Sequence, residues 1–155
     1  MALQDKIETI VNTLYPTATF FFSSDFRAED DGYSLSESEY PLIILDNELA
    51  KVNTIKENAN VLSKVKISMK FLNVDKWDST DESSDVVVQA MEVIANAVYL
   101  NIYQLNEIRK DGSDPSYRIL PLIRSSSAIL SGVAAVAEWN ENLILRWCKV
   151  PVAVL

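Results

Sequence analysis

Asp78, Asp81, Glu82 and Asp85 are the carboxylates whose spacing could build a site. Offsets of three, four and seven put them on one face of a helix start, where their oxygens would suit Mg²⁺ or Ca²⁺. The same residues also serve a helix without any metal. Ser79 can cap the first amides, Glu82 can reach back in a capping box, and the helix dipole favours the remaining acids. The capping reading needs nothing beyond the helix itself, and no EF-hand spacing is present. No metal or other cofactor is therefore expected.

Other chemistry is excluded more firmly. The chain has no histidine, which removes Ser-His-Asp and Cys-His catalysis and His-containing zinc sites. Gly32, Gly112 and Gly132 are too far apart for a P-loop or a dinucleotide fingerprint. Cys148 is the single cysteine, so it forms no internal disulfide and reads as a packed apolar residue. The expectation is a protein without enzymatic activity. A metal-dependent hydrolase built on the acidic helix start is the weakest alternative.

Lys64, Lys66 and Lys70 alternate with Val65, Ile67, Met69 and Phe71, making a strand with one apolar and one basic face. In a lone subunit the lysines read as a solvated sheet face that discourages edge pairing. Between copies they have counter-surfaces. Residues 23–40 hold six acids and one arginine, and residues 75–85 hold five acids and one lysine, within a net charge of −8. The rest of the chain is close to neutral, which argues against sequence-specific or extensive nucleic-acid binding. Trp139 and Trp147 read as core anchors or, alternatively, as interface residues.

The elements that must position these residues follow from periodicity. Leu3, Ile7, Ile10, Val11 and Leu14 predict an amphipathic helix ending at Tyr15-Pro16. Thr19–Phe22 reads as a short strand, and residues 23–40 read as a long exposed loop, expected to order only within an assembly. Pro41–Asp46 has the two-sided apolarity of a central strand. Residues 47–60 are polar and alternate poorly. The strand at 62–72 leads to a helix starting at Ser79, with Val87, Met91, Ile94, Ala95, Val98, Ile102 and Leu105 buried. That helix is expected to end near Arg109-Lys110, with Gly112 terminating it.

Runs at Tyr117–Ile123, Leu130–Trp139 and Leu143–Val150 complete the predicted strands, the last two joined as a hairpin through Asn140-Glu141-Asn142. The predicted class is α+β: a mostly antiparallel sheet with one long helix and an N-terminal helix packed on one face. The predicted order is α-β-β-β-α-β-β-β, in a single domain spanning 1–155. The charged N-terminus and the lack of a long apolar run predict a soluble protein made in a reducing cytoplasm, with no membrane partner.

This layout, with the segments Ser24-Asp25-Phe26, Tyr40–Asp46, Lys66–Leu72, Asp78–Glu82, Ala90–Ala95 and Leu130–Val133, resembles the small head–tail connector and tail-terminator proteins of tailed bacteriophages. The resemblance implies a structural virion protein that forms a homo-oligomeric ring at the neck or tail end. It would meet portal, neck or tail-tube proteins, complete the tail and join it to the head. The loop at 23–40 would be the arm that reaches a neighbour. Candidate interface residues on this reading are Asp25, Tyr33, Lys64, Lys66, Lys70, Trp77, Asp78 and Asp81, with Tyr33 and Trp77 as apolar anchors. The alternative is a cytoplasmic α/β protein-binding module without catalytic activity.

Overall fold

The computed structural model describes residues 3–23, 41–46, 51–55, 61–74, 81–106, 108, 116–122 and 130–140. Helix α1 (Leu3–Leu14) turns Ile7 and Val11 fully inward. Its last turn closes with the Tyr15 amide donating to the Val11 carbonyl at 2.8 Å, immediately before Pro16. Strand β1 (Thr19–Ser23) then runs parallel to β2 (Leu42–Asp46), from Thr19 opposite Leu42 to Ser23 opposite Asp46.

The long strand β4 (Val61–Val74) organises the rest. On one side it pairs antiparallel with both β2 and β3 (Lys51–Ile55), which follow one another along the same edge. Leu45 faces Met69 and Lys51 faces Val65, so six chain steps run beside four between the two strands. On its other side β4 pairs with β6 (Leu130–Asn140) through eleven residues. Among the described strands β5 (Tyr117–Leu122) lies outermost beside β6, giving the order β1-β2-β4-β6-β5. Pro121 lies in β5, where an edge strand tolerates a residue with no amide hydrogen to donate.

Helix α2 (Asp81–Tyr103) crosses one face of the sheet over β4 and β6 and connects β4 to β5. Those two strands are parallel, with β6 inserted between them, as in a split βαβ unit. The α+β class is as the sequence predicts, with the order α-β-β-β-β-α-β-β among the described elements. The additional strand is β3, inside the polar segment 47–60. Its composition hides it: Val52, Asn53, Thr54 and Ile55 are all exposed, so no buried alternation marks it. The predicted strand 143–150 and its hairpin turn beyond Asn140 lie outside the described residues, as does the loop from 24 to 40.

The main core fills the layer between sheet and helices. Val65, Ile67, Met69 and Phe71 from β4 meet Met91, Ala95, Val98, Tyr99 and Ile102 from α2. The helix is rotated slightly from its predicted phase: Val88 and Tyr99 are buried, while Val87, Ile94 and Leu105 are only partly so. The helix also stops at Tyr103, with Gln104 to Asn106 in turns, rather than continuing to Arg109-Lys110. The opposite sheet face is not uniformly wet. Leu42, Ile44 and Leu72 are fully buried there with Phe21 and Val74 against them, a second cluster beside the basic part of β4.

Candidate functional site

On the sheet face away from α2, residues from three neighbouring strands converge. Lys64 and Lys66 project from β4, Glu138 from β6 and Arg118 from β5, and all four are exposed. Register places Glu138 directly opposite Lys66, and Arg118 opposite Val136, one outward position along β6 from Glu138. With adjacent strands about 4.8 Å apart, the carboxylate sits between two cations and can offset only one of them. Together with Ser116 and Tyr117, these residues line an open groove of about 400 Å³. The groove keeps a local positive excess on a chain of net charge −8.

The groove floor is tied to the core by aromatic contacts. The Tyr117 hydroxyl donates to the Asn96 side-chain carbonyl on α2. Burial, and next the negative charge of Glu92, push the Tyr117 phenol above its usual pKa. Its ring stacks edge-on against Tyr99 with centroids 4.8 Å apart. Tyr99 in turn meets Trp139 at 5.5 Å and Phe71 at 6.5 Å, both edge-on. The cationic rim is therefore carried by paired strands with a rigid aromatic underside.

The predicted interface residues divide as follows. Lys64 and Lys66 stand together in the groove. Lys70 lies on the same face but is half-buried, opposite Ile44 and already engaged in an interaction, so the basic stripe is effectively its Lys64–Lys66 end. Asp25, Tyr33, Trp77 and Asp78 lie outside the described residues. Asp81 opens α2, but the placement of its side chain is not described. Sequence reasoning missed Arg118 and Glu138, which only strand pairing brings beside the lysines. Their alternation with Tyr117, Ile119, Ala137 and Trp139 was the available signal. Trp139 is 4% exposed and belongs to the core, as its default reading had it, although its indole N–H finds no acceptor.

A second surface lies on the helical layer. Along α2, Val86, Val93 and Leu100 are 63%, 67% and 60% exposed, on the side opposite the buried residues. The window Val86–Tyr103 has a mean hydropathy of 1.4 and is long and apolar enough to cross a membrane by those measures alone. Its hydropathy comes from two stripes, one packed on the sheet and one facing outward.

Among the described residues, no group of three or more acidic or cysteine side chains could hold a metal ion. The acidic helix start falls outside that statement, since the positions of its side chains are not described. No family model and no curated protein sequence matches the chain.

Proposed function

We propose that this chain is a non-catalytic structural subunit that closes head-to-tail into a homo-oligomeric ring, of the kind found at the neck or tail end of a tailed phage. The carrying observation is the separation of charge on one subunit. An excess of cations at Lys64, Lys66 and Arg118 occupies the outer sheet face of a strongly acidic chain. A heterologous contact joins two different surfaces of identical subunits, so it requires complementary patches on a single chain. The acidic segments at 23–40 and 75–85 are the counter-surfaces this reading assigns to the groove. The phage setting rests on the sequence resemblance, and the absence of histidine supports a role without catalysis.

Exposed ion pairs contribute little each, roughly 0–1 kcal/mol. In this reading the groove sets register and association rate, while apolar contacts supply most of the affinity. The test is Lys64→Glu combined with Lys66→Glu, read by sedimentation across ionic strengths. Loss of assembly at low salt supports the reading, and assembly equal to the parent's reduces the lysines to a solvated face.

A further inference from the structure

We infer that the outward face of α2 pairs antiparallel with the same helix of a second copy of this chain, about a two-fold axis at Val93. The face is built from Val86, Ala90, Val93, Ala97 and Leu100, at spacings of four, three, four and three. That is the strict 3.5-residue repeat of a helix–helix seam. A solvated helix face has no need of it, and α2 already buries a separate stripe against the sheet. Large and small residues alternate nearly symmetrically about Val93, so the stripe complements itself under a two-fold operation, as an isologous contact requires. Val86 then faces Leu100 of the partner subunit, and the alanine positions let the helices approach closely.

Charge selects both the occupant and the direction. Glu92 is the single charged residue between Val86 and Tyr103. It lies toward Tyr117, whose phenol feels its charge, and away from the stripe. On α2 itself the stripe therefore carries no charge that would oppose its own copy. A parallel pair would set the two acidic first turns of α2, which hold Asp81, Glu82 and Asp85 in sequence, side by side. An antiparallel pair separates them by the length of a 23-residue helix, about 34 Å and well beyond a Debye length of roughly 8–10 Å. One helix stripe offers less than the roughly 800 Å² per partner of a standard interface, so pairing should be concentration-dependent. This contact is separate from the groove and does not depend on ring closure.

Disulfide trapping tests it, with Cys148→Ser removing the native thiol. Under mild oxidation Val93→Cys should cross-link to a dimer. Val86→Cys and Leu100→Cys should each remain uncross-linked alone and cross-link when mixed. Val93→Glu, at a position 67% exposed, should abolish the dimer in sedimentation while leaving the circular dichroism spectrum and melting temperature unchanged. An uncross-linked Val93→Cys protein overturns the pairing, whatever else the stripe binds. Cross-linking of Val86→Cys alone as readily as Val93→Cys overturns the antiparallel register. Cross-linked dimers that never form rings contradict the ring reading alone, and rings without Val93→Cys cross-links contradict the helix pair alone.

Discussion

The Tyr99 hydroxyl, on the long helix, donates a 2.5 Å hydrogen bond to the backbone carbonyl of Ala135, on a central strand. A second, longer approach of 3.3 Å reaches the Ile67 carbonyl on the neighbouring strand. One fully packed side chain thus anchors the helix to both strands beneath it, with the rings of Phe71, Tyr117 and Trp139 around it.

Tyr99→Phe should keep the ring contacts and leave the Ala135 carbonyl short of a donor. The expected loss is about 1–2 kcal/mol, or roughly 2–4 °C of melting temperature per kcal/mol for a chain of this size. Burial pushes the Tyr99 phenol far above its ordinary value of 10.0. A raised folded-state pKa means that the native state holds its proton longer than the unfolded chain does. The associated stability is therefore complete below pH 10 and declines as pH rises above it. Denaturant titrations from pH 8 to 11 should show that decline in the parent and a shallower one in Tyr99→Phe. Equal slopes would remove Tyr99 from the account of alkaline stability.

Gly132→Ala should destabilise the sheet. A Cβ at this position would stand 1.8 Å from the Phe71 carbonyl oxygen, a backbone atom that cannot swing aside. Relief would require the two central strands to separate locally, at a cost of about 1–3 kcal/mol or more. Thermal melting measures this, and an unchanged midpoint would contradict the close approach.

Leu72→Ala should cost about 2–5 kcal/mol, as a fully buried leucine does. The position faces away from the helices, on the side that the lysine alternation alone would call wet. Urea denaturation decides between the readings, because a loss below about 0.5 kcal/mol is what a solvated site would show.

That contrast shows what the sequence could convey. The alternation from Lys64 to Phe71 identifies a strand and its core face, because those side chains choose sides within one element. Leu42, Ile44 and Leu72 form their outer-face cluster across two strands, and only the register of Leu42 opposite Leu72 brings them together. The groove followed the same rule. Lys64 and Lys66 were legible from their own strand, whereas Arg118 and Glu138 joined them through pairing of strands far apart in sequence. The short strand Lys51–Ile55 left no pattern because Val52, Asn53, Thr54 and Ile55 are exposed on both faces. Helix α2 was legible as a helix, but its two apolar stripes compete for the core-facing side, so its phase was displaced.

Lys64→Glu with Lys66→Glu should weaken assembly most at low ionic strength and progressively less as salt rises, since exposed charges are screened within about a Debye length. Folding should be unaffected, because both side chains are exposed. Sedimentation velocity of parent and variant at matched concentrations reads the difference. A salt-independent defect would mean that the lysines act through something other than charge.

The native mass of the purified protein, with electron micrographs of the same sample, decides whether identical subunits close into a ring. Ring closure requires a native mass at an integral multiple of the 17.4 kDa chain mass, whether or not α2 faces pair two rings, and closed rings in projection. A monomer persisting at high concentration would contradict it.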